Sequence, residues 1–184
     1  MHRIALLALA LLAAACQGGS PVTRPIATVD VATASPPQAI DRVLSEGLEH
    51  AHQRLAAKYS FQPFALVLRK DGEIAQILGM SGDVLDVQTP DTLYVDPAKT
   101  MANLQRHVET EVKTRGDVVA VGFFLDTEVK LPNGSDSRAI EAELEHAAGS
   151  CATVFQPYGW VDVDSLAFAA QIKTTRKGTI FPCP

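Results

Sequence analysis

The stretch VVAVGFFL, residues 118–125, decides the fold of this chain. A continuous apolar run that is rich in β-branched and aromatic residues predicts a strand buried on both faces. Residues 126–131 then alternate between charged residues and Thr, Val and Leu, and a turn containing Asn133-Gly134 follows at 132–137. Residues 140–145 alternate again, with apolar residues at even positions and glutamates at odd ones. This strict period of two predicts a second strand here rather than a helix.

Upstream of this run, the sequence predicts a helix, a hairpin and a second helix. Ser35 is a capping residue with prolines in the turn that follows it, and apolar residues recur at helical spacing through 38–55. Residues 64–78 predict a hairpin, because two apolar stretches flank the tight-turn pair Asp71-Gly72. Residues 96–116 predict the second helix, which starts at an Asp-Pro pair and ends at a glycine.

Two further strand segments are predicted after the alternating segments. Residues 147–150 turn the chain into a strand at 151–155, and residues 166–173 are predicted as the last strand. Together the elements predict an α+β domain in which two helices pack on an antiparallel sheet of about five strands. The predicted order is helix, hairpin, helix and three strands.

The alternation in the two long strands predicts an acidic surface. We expect residues 125, 127, 129 and 131 to face the core together with residues 140, 142 and 144. Five carboxylates then share the opposite face: Asp126, Glu128, Glu141, Glu143 and Glu145. Such a face is either a solvated surface that keeps a sheet edge from pairing or a docking surface for a basic protein partner.

The first sixteen residues carry the features of an export signal. A short basic start precedes the apolar run Ile4–Ala15, which is too short to span a membrane, since a spanning helix needs about twenty residues. The run ends in LAAAC, residues 12–16, which resembles the lipobox of bacterial lipoprotein precursors. This resemblance implies that residues 1–15 are removed as a signal peptide and that Cys16 receives acyl chains.

The same resemblance implies where the protein is held. Acyl chains on one residue anchor a protein stably to a membrane that it does not span. Gln17 follows the cysteine, whereas an aspartate there is the usual signal for retention in the inner membrane. The resemblance therefore implies the periplasmic face of the outer membrane. Residues 16–37 are then the lipidated cysteine and a flexible tether rich in proline and small polar residues, and residues 38–184 are a single domain.

Two later patterns resemble other bacterial sequences. AIEAELEH at residues 139–146 and VFQPY at residues 154–158 are similar to small bacterial proteins of unassigned function. This resemblance implies no catalytic residue.

Two cysteines remain once Cys16 is assigned to lipid. Cys151 and Cys183 form an even pair, which in an oxidising compartment predicts a disulfide. The bond would close a loop of about 33 residues and stabilise the fold by roughly 3.5 kcal/mol in the chain-entropy model. The alternative is two separate thiols, with Cys151 packed as a small apolar residue.

Neither the net charge nor the residue spacing indicates nucleic-acid binding, a metal site or catalysis. The net charge of −5, from 16 basic and 21 acidic residues, does not favour nucleic-acid binding. His107 and Glu111 are four residues apart on the second helix and could face one ion, but a zinc site needs a third protein ligand. His146 is the remaining candidate for it. We expect no metal, no cofactor and no catalytic residue.

Three functions stay open on the sequence. The first is a non-enzymatic lipoprotein of the cell envelope whose domain binds a protein or a ligand. The second is an inhibitor or immunity lipoprotein that holds a basic toxin or hydrolase through the acidic face. The third is a periplasmic enzyme with a site assembled from distant residues, for which His107, Glu111 and His146 are the candidates.

Overall fold

Two helices and seven strands follow one another along the residues that the computed structural model describes, 35–79, 96–163 and 165–183. In chain order they are α1 (Pro36–Lys58), β1 (Phe64–Arg69), β2 (Ile74–Leu78), α2 (Pro97–Arg115), β3 (Val118–Lys130), β4 (Asp136–His146), β5 (Ser150–Asp162), β6 (Ser165–Phe168) and β7 (Ile172–Thr175). The predicted α+β class is confirmed. The signal segment, Cys16 and most of the predicted tether lie outside the described residues.

All seven strands belong to one antiparallel sheet. Its order is β2-β1-β3-β4-β5-β6, and β7 pairs with the other half of β5. The centre of the sheet is the long β3–β4 hairpin, whose register runs from Ala120 opposite His146 to Lys130 opposite Asp136.

The described residues form seven strands where the sequence predicts about five, and one of the additional strands arises because the predicted strand at 166–173 divides in two. Phe168 of β6 lies opposite Tyr158 of β5, and Ile172 of β7 lies opposite Phe155. The chain thus advances four residues along this edge while β5 advances three. The one extra residue on this edge interrupts the hydrogen bonding to β5, as a β-bulge does, and separates β6 from β7.

α1 covers one face of the sheet. The backbone N–H of Ser35 donates to Gln38 Oε1 at 3.0 Å, and α1 begins at Pro36, directly after the predicted capping residue. Gly47 lies against the ring of Phe124, where a Cβ atom would meet the ring Cζ at 1.8 Å. A side chain of hydrogen only therefore lets the helix approach β3 closely.

α2 covers the opposite face. The Asp96 carboxylate caps it by accepting from the backbone N–H groups of Ala98 at 2.9 Å and Lys99 at 3.4 Å, and Gly116 ends it in the left-handed conformation at φ 67°. Its buried stripe packs on the other side chains of β1 and β3, with core members Met101, Leu104, Val108, Ala65, Val67, Val121 and Phe123.

The sheet therefore has a hydrophobic core on each side, as predicted for residues 118–125, whereas the alternation at 126–131 and 140–145 predicts one core face and one solvated face. β1 shows this most directly, because every one of its six residues is buried. Phe64, Leu66 and Leu68 contribute to the α1-side core, and Ala65 and Val67 to the α2-side core. Among the described residues, neither helix combines the length and the apolar character needed to cross a membrane.

Candidate functional site

The five carboxylates of the predicted acidic face lie on two different faces of the sheet. Residues opposite each other in an antiparallel pair share a face, and the register places Leu125 opposite Glu141 and Asp126 opposite Ile140. Asp126 and Glu128 are therefore on the α1 side, and Glu141, Glu143 and Glu145 are on the α2 side. The predicted common face is wrong because Leu125 packs against the α2-side core and not with Ile140.

Glu141, Glu143 and Glu145 of β4 form what is named the acidic row. Glu145, the last of them along the strand, is 0% exposed. Its Oε1 accepts from the Thr179 backbone N–H at 2.7 Å and from Arg176 at 3.0 Å. Its Oε2 accepts from the backbone N–H groups of Ile180 at 2.7 Å and Phe181 at 2.9 Å. The carboxylate thus anchors residues 176–183, which form the C-terminal strap.

Arg176 is the cationic partner of two members of the acidic row. Its Nη1 lies 3.1 Å from Glu143 Oε2 and 3.0 Å from Glu145 Oε1, and the arginine side chain is only 15% exposed. Its Nη2 donates to Thr179 Oγ1 at 2.9 Å. For this part of the acidic face, the basic partner is supplied by the chain itself.

The strap is also attached to the sheet at its C-terminal end. Cys151 of β5 and Cys183 lie at disulfide distance, with their Cα atoms 5.9 Å apart. Between the two ties, Ile180 and Phe181 pack against the α2-side core. The cysteine pair, the carboxylate of Glu145 and apolar packing therefore hold the strap on the sheet together.

Glu141 lies farther along β4 from the strap and is partly buried. Burial raises the pKa of its carboxyl group, the charge of Glu143 raises it further, and Arg176 opposes both effects. Burial likewise raises the pKa of Glu143. The folded state therefore disfavours the charged form of these two side chains.

We expect Glu141→Gln to raise the free energy of unfolding at neutral pH, by no more than about 1 kcal/mol for a partly exposed charge. Because the folded-state pKa of Glu141 lies above its unfolded value, the ionised carboxylate costs stability at neutral pH. The cost vanishes as the pH falls through the raised pKa towards the ordinary glutamate value. Urea unfolding near pH 7 and near pH 4 measures both conditions.

The control for this substitution is Glu128→Gln, which removes an exposed carboxylate from the neighbouring strand. It should change stability less than Glu141→Gln at neutral pH. An equal gain from Glu141→Gln at both pH values would contradict the electrostatic explanation.

Asp126, on the α1 side, is a buried carboxylate whose partners are also internal. Its Oδ1 accepts from the Tyr158 hydroxyl at 2.7 Å, and its Oδ2 accepts from Arg138. Burial and the hydrogen bond to Asp126 both raise the pKa of the Tyr158 hydroxyl, which therefore remains a donor. The group ties β3 to β5 across β4.

An open cleft of about 550 Å³ lies between α1 and the β5 side of the sheet, and is called here the α1–β5 cleft. Side chains from one face of α1 and from β5 and the β6–β7 connection line it. Its hydrogen-bonding residues include Asp41, Ser45, Glu49, His52, Gln156 and Gln171. Positions 41, 45 and 49 follow one another at four-residue spacing, so they form a single row along the helix.

His52 is held in place on the wall of this cleft. Its Nε2 lies 3.0 Å from Gln156 Oε1. Its ring also packs at a tilt on that of Phe168, with ring centroids 3.9 Å apart. Contacts from both β5 and β6 therefore fix the imidazole at the cleft, although it belongs to α1.

The candidate metal and catalytic residues lie in separate environments. His107 lines a depression between α2 and β2, while Glu111 is engaged by Arg69 at 3.4 Å and by Arg115 at 3.5 Å. His146 ends β4, where its Nδ1 accepts from the Ala148 backbone N–H at 3.0 Å and burial lowers its pKa. Within ranges 35–79, 96–163 and 165–183, no three His, Cys, Asp or Glu side chains are grouped as a metal site would require.

Comparison with known proteins returns no match to this chain: no family model, no curated protein and no solved structure is significantly similar to it. The functional argument therefore depends on the residues and their geometry.

Two features of the site were not predicted from the sequence, Arg176 and the α1–β5 cleft. Arg176 follows the acidic row by 31 residues, and only its place between the last strand and Cys183 suggests a buried role. The cleft needs Gln156, which lies in β5 just beyond the predicted strand at 151–155, and Gln171, which lies between β6 and β7 where the sequence predicts one strand. In the sequence, the cleft is indicated only by the polar row at positions 41, 45 and 49, which lies beside the apolar stripe of the helix.

Proposed function

We propose that this chain is a lipid-anchored protein of the bacterial cell envelope whose domain binds a ligand or partner in the α1–β5 cleft and catalyses no reaction. The anchor is supported by the lipobox-like sequence that ends at Cys16 and by the polar, proline-rich segment after it. Such a tether leaves the domain free to present its cleft to other components of the envelope.

The observation that carries the binding function is the cleft itself. Its volume of about 550 Å³ lies within the range of small-ligand sites. Its polar groups come from two separate elements, the exposed row of α1 and the glutamines beside β5, so donors and acceptors converge from both walls. Fixed polar groups around a concave surface are what orient a bound molecule.

The remaining buried carboxylates have structural roles, because their hydrogen-bond partners belong to the chain itself. The oxygens of Glu145 accept from the strap, and those of Asp126 accept from Tyr158 and Arg138. A carboxylate whose lone pairs are occupied in this way is held as a structural acceptor and is poorly placed to take a proton from a substrate. These contacts favour binding over acid–base catalysis.

Site-specific photocrosslinking in intact cells tests the binding function. A benzophenone side chain at position 45, inside the cleft, is compared with the same side chain at position 114, on the exposed face of α2. We expect a specific adduct from position 45 that is missing from position 114. No adduct from position 45, or equal adducts from both, would contradict the proposal.

The anchor is tested separately with Cys16→Ala. We expect the native protein to remain with the membrane fraction after a high-salt wash, and the variant to lose acyl labelling. A native protein that carries no acyl label would refute the anchor without affecting the cleft.

An inhibitor of a basic toxin or hydrolase is not proposed, because its predicted surface is divided. Asp126 and Glu128 lie on the α1 side, and Arg176 already occupies Glu143 and Glu145 on the other side.

A further inference from the structure

We propose that a second cavity of this domain binds an alkyl carboxylate, the chemistry of a fatty acid. The cavity lies between the C-terminal end of α1 and the end of β2, has a volume of about 770 Å³ and is called here the α1–β2 cavity. It is separate from the α1–β5 cleft, although Gln53 lines both. The proposal therefore goes beyond the function proposed above and does not depend on it.

Arg54 supplies a cation that has no anionic partner in the described part of the chain. This side chain lines the cavity and is partly buried. Its guanidinium carbon lies 4.5 Å from the centroid of the Phe64 ring, and Phe64 itself is 0% exposed. A ring face attracts a cation but does not use up its N–H donors. Residues 35–79, 96–163 and 165–183 contribute no hydrogen bond and no ion pair to this guanidinium.

The partial burial of Arg54 is therefore uncompensated. Burial lowers the pKa of its guanidinium, and no charge among the described residues opposes this effect. A cation that is removed from water normally regains free energy from a carboxylate that pairs with it. An anion in the cavity would supply that pair and would accept from the N–H donors of Arg54.

The charges that line the α1–β2 cavity are both positive. Lys58 follows Arg54 by one helical turn, so the two side chains lie on the same side of α1. None of the described residues that line the cavity is acidic, although the chain as a whole has a net charge of −5. This local excess of positive charge favours an anionic ligand.

The position of the two cations favours a carboxylate over a phosphate. A guanidinium presents parallel N–H donors that match the two oxygens of one carboxylate. α1 ends directly after Lys58, and the carbonyl end of a helix carries a partial negative charge. That charge opposes a phosphate, with up to two negative charges, more than it opposes a carboxylate with one.

Apolar side chains line the rest of the cavity and suit an alkyl chain. Phe61, Pro63 and Leu78 are among them. Phe61 is 9% exposed, whereas Leu78 is 55% exposed, a large fraction for a leucine. An alkyl chain attached to the carboxylate would cover Leu78 and remove apolar surface from water. Apolar walls with a few placed polar groups are typical of small-ligand sites.

Titration of octanoate into the full chain in phosphatidylcholine nanodiscs, followed through backbone amide shifts, tests this proposal. Empty nanodiscs measure the octanoate that enters the lipid. We expect saturable shifts at Arg54, Lys58 and Gly79. Acetate keeps the charge without the chain, and octanol keeps the chain without the charge, so each should bind at least about tenfold more weakly.

Matched substitutions on one helix separate the site from general charge. Arg54→Met keeps a long stem over Phe64 and should weaken octanoate binding about tenfold, the range of a hydrogen bond to a charged group. Lys58→Met changes an exposed residue, so it is a safe second variant, and should weaken binding about two- to fivefold. Arg42→Met removes a cation from the same helix outside the cavity and should leave the affinity unchanged.

Four results would overturn the proposal: no saturable shifts with octanoate, equal binding of octanol, equal weakening by Arg42→Met, or tighter binding of octyl phosphate than of octanoate. The last result would assign the cavity to a phosphate ester. The photocrosslink from position 45 reports on the α1–β5 cleft and should persist in Arg54→Met, so the two proposals can fail independently.

Discussion

Replacement of Glu145 by glutamine is expected to lower the free energy of unfolding by about 3 kcal/mol. The substitution keeps the size of the side chain and replaces one acceptor oxygen by an NH₂ group. That group meets the N–H of Thr179 and the Arg176 guanidinium in one orientation, and the N–H groups of Ile180 and Phe181 in the other. Either way, buried donors lose their acceptor, and Arg176 loses half of its compensating charge.

The measurement is urea unfolding, with Glu143→Gln as the matched control. Glu143 lies on the same strand and face and also pairs with Arg176, but its side chain is 20% exposed. Burial already disfavours the ionised form of Glu143, so its replacement by glutamine should cost less than about 1 kcal/mol. Equal losses from the two substitutions would show that the burial of Glu145 is not what makes its contacts strong.

Amide hydrogen exchange gives a second, local readout of the same contact. The N–H groups of residues 179–181 should exchange faster in Glu145→Gln, because their hydrogen bonds to the carboxylate are weakened or lost while the sheet stays folded. The same amides should be unchanged in Glu143→Gln. Protection retained at all three positions in Glu145→Gln would mean that the cysteine pair and apolar packing alone hold the strap.

Glu145 also shows why sequence reasoning predicts the elements of this chain better than its surfaces. The glutamates of β4 alternate strictly with apolar residues, and that local pattern correctly predicts a strand. The same pattern predicts a solvated face, but the residues that cover Glu145 come from the end of the chain. A contact between segments 31 or more residues apart leaves no periodic signal in either one.

The wrong assignment of faces in β3 has a related cause. A strand buried on both sides has no polar face, so the run at 118–125 cannot show which residues belong to which core. Alternation begins only at Asp126. From there on, an error of one residue in assigning the faces places every side chain on the wrong face of the sheet. The caps of α1 and α2 and the β1–β2 turn depend on neighbouring residues only, and the structure has these elements close to where the sequence places them.

The α1–β5 cleft illustrates the same limit for function. Its helical row is visible in the sequence, but a polar row on a surface helix usually faces solvent. What makes it one wall of a cleft is the position of Gln156 in β5 and of Gln171 at the interruption between β6 and β7. The candidate site is thus created by tertiary structure and could not be predicted from local pattern.

Removal of the cysteine pair is expected to have an effect of similar size to that of Glu145→Gln. The double variant Cys151→Ala with Cys183→Ala should lose about 3 kcal/mol, because the unfolded chain regains the entropy of a loop whose ends are 32 residues apart. The denaturant dependence of unfolding should become steeper, since an uncrosslinked chain exposes more surface when it unfolds. A loss below about 1 kcal/mol with an unchanged slope would contradict this account.

The two losses should not add, and their deviation from additivity tests whether the strap acts as one unit. With the cysteine pair present, the strap cannot leave when Glu145 becomes glutamine, so the unpaired donors of residues 179–181 stay buried. Without the pair, the strap can detach and water can satisfy those donors. Glu145→Gln should therefore cost about 1 kcal/mol less in the cysteine-free background than in the native one. Strict additivity would mean that carboxylate and cysteines stabilise the fold independently, and that the strap is not a single cooperative element.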